Sequence, residues 1–224
     1  MSAEQLPLDL GFRPALNADD FLVAECNEMA VVWIDRWPDW PGPGLIVHGP
    51  SGSGKTHLIQ VWAARSGADI LSMAQLAAGA SFQNRAVAID DANAVSGDQA
   101  LEQRLFHLYN DIASQGGKLL LTAPGPAAGW SVGLPDLASR LRSANSAEIL
   151  EPDDTVLSAV LVKQFADRQL MPSAAVVRYL VARMERSFAA ARTMVDRLDR
   201  ASLSARRPIT VALVRQVLAA DGDQ

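Results

Sequence analysis

Cysteine is almost absent from this sequence: Cys26 is the only one among 224 residues. A lone thiol forms no internal disulfide, which excludes a disulfide-stabilised secreted scaffold and favours a reducing cytoplasm. Long apolar segments are also missing, because no uninterrupted run approaches the roughly 20 residues that span a bilayer. The N-terminus lacks the basic-then-apolar order of a signal peptide. The sequence therefore predicts a soluble cytoplasmic protein.

Histidine is scarce as well, which limits the metal sites that the sequence can encode. His48, His57 and His107 do not have the spacing of metal ligands, and Cys26 supplies the one thiol. These residues give no sign of a zinc site or another transition-metal site. Internal repeats and low-complexity tracts are absent, and 49% of the residues are hydrophobic. This composition is ordinary for a globular protein with one large domain, or with one medium and one small domain.

Acidic and basic residues are unevenly distributed along the chain, although the formal net charge is only −5. Residues 1–155 carry 9 Lys and Arg against 19 Asp and Glu, whereas residues 156–224 carry 11 against 6. The C-terminal third therefore has a net charge of +5 and would suit nucleic acid or an acidic partner. The alternative, a helical domain with solvated arginines, stays open.

Apolar strands alternate with helical segments between residues 17 and 152, after a leader at 1–16 that contains proline and glycine and has no clear period. Strands are predicted at LIVH (45–48), AVAID (86–90) and KLLLT (118–122), and helices at 27–37, from residue 55 and at 101–114. Strands that alternate with helices favour an α/β fold in which a parallel sheet is covered on both faces.

Helical periodicity alone follows the segment EPDD at 151–154. Four apolar helical faces are present, at 157–165, 177–184, 191–198 and 211–218. Pro172 and Pro208 stand where helices are expected to begin. We predict that residues 153–224 form a small helical domain, separate from the α/β core at 17–152.

A glycine-rich motif follows the first predicted strand. HGPSGSGKTHL (48–58) contains G-x-x-x-x-G-K-[ST] from Gly49 to Thr56. Its glycines let backbone N–H groups point at a phosphate chain, Lys55 adds a cation near the β- and γ-phosphates, and the Thr56 hydroxyl can ligate Mg²⁺. A plain strand–helix turn would not require both of these residues. The predicted phosphate-binding residues are Gly49, Pro50, Ser51, Gly52, Ser53, Gly54, Lys55, Thr56 and His57.

Two aspartates end the second predicted strand. A carboxylate there is unfavourable unless it meets a cation or reaches the rim of the sheet. After a phosphate-binding loop, Asp90 is therefore predicted to hold Mg²⁺ together with Thr56, and Asp91 to orient an attacking water. Thr122 ends the third strand, where its hydroxyl could reach the γ-phosphate. The alternative, that Thr122 is a β-favouring residue at a strand end, stays open.

Several segments together resemble one family of ATPases. They are FLVAECNEMA (21–30), GKTHL (54–58), the tandem Asp90–Asp91, FHLYNDI (106–112), GLPDLASRL (133–141) and LDRASLSARRPIT (198–210). Over nearly its whole length the chain resembles the Hda-like members of the DnaA/Hda family of AAA+ ATPases, and GLPDLASRL is the most discriminating of these motifs. The resemblance implies an AAA+ P-loop NTPase fold, with a parallel sheet core flanked by helices and a small all-helical C-terminal lid.

An adenine nucleotide is the ligand that the resemblance implies. In the family the segment at 21–30 borders the adenine pocket, so Phe21, Leu22, Val23 and Asn27 are expected to contact ADP or ATP. The family also implies ADP as a structural ligand, but the residues themselves leave open which of the two nucleotides is resident.

The leader contains QLPLDL at 5–10, which resembles the peptide by which Hda-like proteins dock on the DNA polymerase III sliding clamp (the β subunit). Gln5 would fill a polar subsite, Leu8 and Leu10 would bury in an apolar groove, and Leu6 belongs to the same motif. The alternative, that the leader packs on its own domain, stays open. Because the chain ends soon after the lid, we expect no helix-turn-helix DNA-binding domain of the DnaA kind.

Arg140 in GLPDLASRL matches the arginine finger of the family. Such a residue enters the nucleotide site of a neighbouring subunit and stabilises the charge that develops during phosphoryl transfer. The resemblance implies that the neighbour is ATP-loaded DnaA. Without the resemblance, an ion pair with Asp136, four residues earlier on the same helix, is the simpler interpretation.

Two positions depart from the family pattern. Pro124 stands where the family usually has an aspartate, two residues after Thr122, and Ala189 stands where the lid usually has a sensor arginine. Arg186 and Arg192 flank that position, and either one could substitute. The departures predict at most weak ATP hydrolysis by the chain alone, so that its catalytic effect would fall on another ATPase.

The leading hypothesis is a regulator of chromosomal replication initiation that binds adenine nucleotide, docks on the sliding clamp and stimulates hydrolysis of DnaA-bound ATP, which prevents re-initiation. One alternative is an adaptor that holds a nucleotide and recruits or anchors a replication factor without promoting hydrolysis. Another is a self-sufficient AAA+ ATPase that loads such a factor. Homodimerisation and a direct contact between the basic lid and DNA stay open.

Overall fold

A five-stranded parallel β-sheet lies at the centre of the protein in the computed structural model, which describes residues 23–219. The strands are β1 (Gly44–His48), β2 (Asp69–Leu71), β3 (Ala86–Ile89), β4 (Lys118–Ala123) and β5 (Asn145–Glu148). Their order across the sheet is β2-β3-β4-β1-β5, and every adjacent pair is parallel. The predicted α/β fold with a parallel sheet is therefore confirmed.

A helix precedes the first strand, and further helices and short 3₁₀ turns connect the strands, as parallel pairing requires. The helices are α1 (Glu28–Asp35), α2 (Lys55–Ser66), α3 (Met73–Ala77), α4 (Gln99–Ser114) and α5 (Pro135–Ser143), and the 3₁₀ turns are Ala92–Val95 and Ala127–Gly129. α4 begins two residues before the predicted start at 101. The reason is Asp98, whose side chain accepts the N–H groups of Ala100 at 3.0 Å and Leu101 at 3.1 Å and so caps the helix.

β1 is buried along its whole length because it lies between β4 and β5. Alternation along the strand sends Leu45 and Val47 to the face that α1 and α2 cover. Ile46 points to the opposite face, where it joins the apolar side of α4. The end of β1 is thus held on both faces and by both neighbouring strands, which fixes the start of the loop that follows it.

Two stacked tryptophans close the core on the α2 side. The rings of Trp40 and Trp62 have centroids 5.4 Å apart and an angle of 18° between their planes. The indole Nε1 of Trp40 donates a hydrogen bond to the backbone carbonyl of Trp33 at 2.6 Å. The segment between α1 and β1 is therefore packed against α2, which carries the first residues after the glycine-rich loop.

Four helices form the C-terminal helical region: α6 (Asp154–Asp167), α7 (Ala174–Val181), α8 (Phe188–Ala205) and α9 (Val211–Ala219). Their inward faces share one apolar cluster, which includes Leu161, Phe165, Leu180, Leu198 and Val214.

The domain boundaries predicted after residues 16 and 152 stay predictions. Within residues 23–219, none of the helices is both long enough and apolar enough to cross a membrane.

The segment before α1 packs against the helical region as well as the core. Ala24 and Cys26 form a small apolar cluster with Val156 of α6 and Phe188 of α8. The backbone carbonyl of Cys26 accepts the N–H of Leu150, which follows β5, at 2.8 Å. Burial raises the pKa of the Cys26 thiol. Cys26 therefore acts as a neutral apolar residue at the junction between the core and the lid.

Glu102 on α4 is a buried carboxylate that joins two loops. The residue is 2% exposed, and its oxygens accept the N–H groups of Gly97 and Gly133 at 3.0 Å and of Leu134 at 2.8 Å. Burial acts to raise the pKa of Glu102, and Asp98 acts in the same direction, but the three N–H donors outweigh both and hold the pKa below its ordinary value. The carboxylate is therefore ionised at neutral pH.

We expect the stability that Glu102 contributes to depend on pH. Because the folded-state pKa lies below the unfolded value of about 4.3, the contribution is fully present above that value and is lost as the pH falls through the folded pKa. The difference in unfolding free energy between the wild type and Glu102→Gln should be largest above about pH 5 and shrink below about pH 4. Urea unfolding of both proteins across this range measures it, and a difference that stays constant would contradict the ionised state.

Candidate functional site

The loop Gly49–Thr56 runs from the end of β1 to the first turn of α2. Gly49 has a φ of 155°, and a Cβ atom there would lie 2.4 Å from the carbonyl oxygen of Ile149. Gly52 has a φ of 73°, and its Cβ would lie 2.7 Å from the backbone nitrogen of Ala189 on α8. Side chains are excluded at both positions because backbone approaches the loop from two sides, the segment after β5 and the lid.

Lys55 begins α2 and folds back over the loop. Its Nζ donates hydrogen bonds to the carbonyl oxygens of Gly49 and Pro50, both at 2.8 Å, and the residue is 8% exposed. Burial lowers the pKa of Lys55, and the carboxylates of Asp91 and Asp90 partly oppose that change. An anion close to Nζ would favour the ammonium form further, so the electrostatics of this side chain suit a phosphate.

The carboxylate of Asp90 joins α2 to the ends of β3 and β4. Thr56 Oγ1 donates a hydrogen bond to Asp90 Oδ2 at 2.6 Å, and Thr122 Oγ1 donates to the other oxygen, Oδ1. Thr122 is fully buried and also accepts the N–H of Asp91 at 3.0 Å. The structure thus brings together four residues that the sequence singled out separately. Carboxylate and hydroxyl oxygens are ligands that Mg²⁺ prefers, so Thr56 and Asp90 fit a magnesium site.

A cavity of about 780 Å³ opens beside the loop. Its wall includes Asp91, Pro124 after β4, and Arg192 from α8, in addition to the loop itself. Ser53 also belongs to the wall, and its Oγ is buried and has no hydrogen-bond partner within residues 23–219. A buried hydroxyl without a partner normally marks the place of a missing ligand or water. Together with Lys55, this hydroxyl fits a polyphosphate.

Most of the predicted phosphate-binding residues line this cavity. They are Ser51, Gly52, Ser53, Gly54, Lys55, Thr56 and His57. Gly49 and Pro50 are not in the wall, and their carbonyls instead hold Lys55. Gln60 and Asn93 line the cavity as well and were not predicted. Gln60 lies one helical turn after Thr56, so helical periodicity alone could have identified it.

Two of the residues predicted to contact adenine are described by the structure, and neither is in the wall of the cavity. Asn27 is 3% exposed, and its Oδ1 accepts the N–H of Ala24 at 2.8 Å, which fixes the turn before α1. Val23 packs against the apolar core. The other two residues predicted to contact adenine, Phe21 and Leu22, lie outside the described part of the chain. The residues predicted to bind the sliding clamp lie outside it as well; they are Gln5, Leu6, Leu8 and Leu10. All of these assignments stay predictions.

The arginines that the sequence singled out occupy three different environments. Arg140 is exposed in the last turn of α5 and makes no ion pair with Asp136 in the structure of residues 23–219. Arg186 is engaged, with its Nε 3.0 Å from Asp154 Oδ1. Arg192 lines the cavity, one helical turn after Ala189. Of the two arginines that flank Ala189, Arg192 is therefore the one at the candidate phosphate site.

Solved structures of DNA-processing proteins share this fold. Domain III of the replication initiation protein DnaA from Thermotoga maritima matches with a TM-score of 0.78 and 16% identity, over 93% of this chain and 98% of that chain. AMPPCP-bound DnaA from Aquifex aeolicus matches with a TM-score of 0.69 and 17% identity, over 84% and 66%. The Holliday junction branch migration motor RuvB from Thermotoga maritima matches with a TM-score of 0.64 and 15% identity, over 87% and 66%. At these identities the likeness concerns the fold.

The helical region gives a more specific match than the fold does. Residues 153–218 match the family model described as the lid domain of Hda. The C-terminal part of the chain therefore carries a lid domain of the Hda family, and the chain as a whole has the fold of DnaA domain III. In this Hda-like chain the matched segment contains α6, α7, α8 and all but the last residue of α9. The predicted likeness to Hda and the predicted AAA+ fold with a helical lid are both confirmed.

We expect Gly52→Ala to push the lid of this Hda-like chain away from the loop. The new methyl group would lie 2.7 Å from the backbone nitrogen of Ala189, so the backbone has to move. Gly67→Ala is the matched control, because Gly67 has a similar φ of 68° but nothing within 4 Å of its Cβ position. Both variants carry roughly 1–2 kcal/mol of backbone strain.

The measurements for this pair are thermal unfolding and binding of a fluorescent ADP analogue. Gly52→Ala should have the lower Tm and should bind the analogue at least about tenfold more weakly, which corresponds to ~1.4 kcal/mol. Gly67→Ala should bind it like the wild type. Equal behaviour of the two variants would show that the contact between Gly52 and Ala189 does not affect the site.

Proposed function

We propose that the chain is a nucleotide-binding regulator of chromosomal replication initiation that acts on DnaA. The observation that carries the proposal is the cavity between the glycine-rich loop and an Hda-type lid, with Lys55, Asp91 and Arg192 in its wall. Adenine nucleotide is the ligand that we propose for it, since DnaA from Aquifex aeolicus has the same fold and was solved with AMPPCP bound. Calorimetric titration with ADP and ATP in magnesium buffer tests this first step.

The residues of the chain supply charge and hydrogen-bond donors for the phosphates. Lys55 already lies against the loop, and α2 begins there, so the positive end of the helix faces the same region. The hydroxyl of Ser53 is available as a further donor. Mg²⁺, when held by Thr56 and Asp90, would neutralise part of the phosphate charge. Asp91 in the cavity wall is the residue that we propose orients an attacking water.

Slow turnover by the chain alone is part of the proposal. Pro124, in the cavity wall, has no side-chain hydrogen-bonding group, and Ala189 has no charge. The lid supplies a positive charge from Arg192 instead, one turn further along α8. These positions support a protein that holds its nucleotide, and they argue against a self-sufficient ATPase loader.

The effect on DnaA would be exerted through Arg140. This residue is exposed at the C-terminal end of α5 and is not in the wall of the cavity of its own chain, so its guanidinium is available to another molecule. Arginine presents a fixed, permanently charged fork that stabilises the charge developing in phosphoryl transfer. We propose that the other molecule is DnaA with ATP bound and that the product is DnaA with ADP bound, which does not re-initiate replication.

Docking on the sliding clamp of DNA polymerase III through residues 5–10 completes the proposal, and it rests on the sequence QLPLDL. Burial of Leu8 and Leu10 in a groove of the clamp contributes roughly 3–6 kcal/mol before the cost of ordering the peptide. Affinity for one peptide would then be modest, and several peptides on one ring would gain through effective concentration. Docking would concentrate Arg140 at sites of DNA synthesis.

Arg140→Ala should remove the stimulation of DnaA-bound ATP hydrolysis, because the variant no longer supplies that charge to the neighbour. An arginine supplied in this way raises the rate of nucleotide hydrolysis by a factor of about 10³ or more. We therefore expect the stimulated rate to fall at least about 100-fold. The assay follows hydrolysis of labelled ATP on DnaA with DNA-loaded clamp and the chain. Binding of ADP to the chain itself should be unchanged.

Arg142→Ala is the matched control, since Arg142 is an exposed arginine on the same helix, two residues further on. It should retain the stimulation within about twofold. Stimulation that survives in Arg140→Ala would refute the finger assignment. Absence of stimulation in the wild type would leave the adaptor as the better description of the chain.

Arg192→Ala should weaken binding of ADP and ATP to the chain by about tenfold or more, as expected for loss of one hydrogen bond to a charged group. Arg186→Ala is the matched control on the other side of Ala189, because it removes only an exposed ion pair with Asp154. Such a pair contributes about 1 kcal/mol at most to stability. Calorimetry on both variants decides the point: equal affinities would show that Arg192 does not reach the nucleotide.

A further inference from the structure

Glu102 connects parts of the molecule that are far apart in sequence. Its Oε1 accepts the N–H groups of Gly97 and Gly133, and its Oε2 accepts that of Leu134. All three donors are backbone groups, and the residue is 2% exposed. A buried carboxylate of this kind leaves several N–H groups without partners when it is removed, so it holds its surroundings firmly in place.

One of the two loops that Glu102 holds belongs to the candidate nucleotide site. Asp91, Asn93 and Ala94 line the cavity. The 3₁₀ turn Ala92–Val95 ends two residues before Gly97, which donates to Glu102 at 3.0 Å. The carboxylate therefore fixes the end of a short segment whose other end follows Asp90.

The second loop determines where α5 begins. Gly133 and Leu134 directly precede Pro135, the first residue of the helix, and Leu134 provides no side-chain cap. Along the helix, Leu137 and Leu141 are buried in the same apolar cluster as α4 and so fix its rotation. The hydrogen bonds of Glu102 to the helix start then fix its position along the axis.

Arg140 lies six residues after Leu134 in the chain, about 9 Å along the axis of the helix. Because α5 is short and packed along one face, a shift at its first residue moves the whole helix. A displacement of about 1 Å is enough to change the rate of a reaction by two orders of magnitude when a charged group has to meet a transition state. The position of Arg140 therefore depends on the groups that hold Gly133 and Leu134.

We propose that Glu102 is a positioning residue that sets α5, and with it Arg140, relative to the segment of the nucleotide site that follows Asp90. The role of Arg140 in this inference rests on the proposed function. The hydrogen bonds of Glu102 to Gly133 and Leu134 act on α5 whether or not DnaA is the partner. Glu102 touches neither the cavity nor Arg140, so it acts through the backbone of Gly97, Gly133 and Leu134.

Glu102→Gln is the informative variant, because it keeps the size of the side chain. A glutamine has one acceptor oxygen, and its NH₂ group would face a backbone donor, so the three N–H groups of the native contact are not all satisfied. Asp98→Ala is the matched control: Asp98 accepts N–H groups at the start of the same helix, α4, but does not contact α5. Loss of such a cap typically costs about 1 kcal/mol.

The first measurement is amide hydrogen exchange on the full chain, without DnaA. In Glu102→Gln we expect amide exchange at Gly133, Leu134 and α5 to become at least about tenfold faster, which corresponds to ~1.4 kcal/mol. The exchange rate in α2 should stay unchanged. Asp98→Ala should leave exchange in α5 within about twofold of the wild type. Faster exchange throughout both variants, or no change in α5 of Glu102→Gln, would overturn the inference.

The second measurement separates kcat from KM in the stimulated hydrolysis of DnaA-bound ATP. Glu102→Gln should lower kcat about tenfold or more while ADP binding to the chain and the KM for DnaA stay within about twofold. Asp98→Ala should retain kcat. A reduction of kcat that is equal in both variants would mean that Glu102 only stabilises the fold, and would refute a positioning role.

The two measurements distinguish failure of this inference from failure of the proposed function. If the wild type does not stimulate DnaA, the proposed function fails, and selective loosening of α5 in Glu102→Gln still decides whether Glu102 positions the helix. If Glu102→Gln does not fold, Glu102→Asp replaces it, because a carboxylate that is one methylene shorter does not reach both loops. Selective faster exchange in α5 of that variant supports the inference, and unchanged exchange refutes it.

Discussion

One carboxylate, that of Asp90, holds together the elements on which the candidate site depends. It accepts hydrogen bonds from Thr56 at the start of α2 and from Thr122 at the end of β4, so a helix and two strands meet at a single charge. The parallel sheet makes this possible, because β1, β3 and β4 all end at the same edge. Apolar packing on both faces of β1 keeps that edge in place. The glycine-rich loop therefore starts from a fixed point and passes next to a fixed charge.

The lid is held against this loop by a close backbone contact and a small apolar cluster. At position 189 the small side chain of alanine lets α8 approach Gly52, where even a single added carbon atom would lie 2.7 Å from the backbone. Arg192 projects into the cavity wall one turn later. Ala189 at the contact with the loop and Arg192 one turn later are thus two parts of one arrangement. The apolar cluster that contains Cys26 and Phe188 also joins the segment before α1 to α8.

The sequence predicted the parts of the structure that follow from local pattern, and it did not predict those that follow from tertiary contact. β1, β3 and β4 are runs of buried apolar residues, so their pattern identifies them. β5 has the sequence NSAE, in which Ala147 is the one buried residue, and β2 has only three residues, so neither carries a strand signal. The choice between Arg186 and Arg192 stayed open because it depends on how α8 lies over the loop. The role of Glu102 depends on two loops more than thirty residues apart in the chain, and no local pattern records such a contact.

The two outer strands of the sheet have a consequence for assembly. β2 has only three residues and β5 only four, and each strand has one buried residue, while the others are exposed or half-buried. Edges of this kind give an incoming strand few backbone groups to pair with, which protects the protein against aggregation by strand addition. This leaves the helices and loops at the surface as the larger area that another molecule can contact. Those surfaces can diverge to suit a new partner while the sheet, and the nucleotide site built on it, stays unchanged.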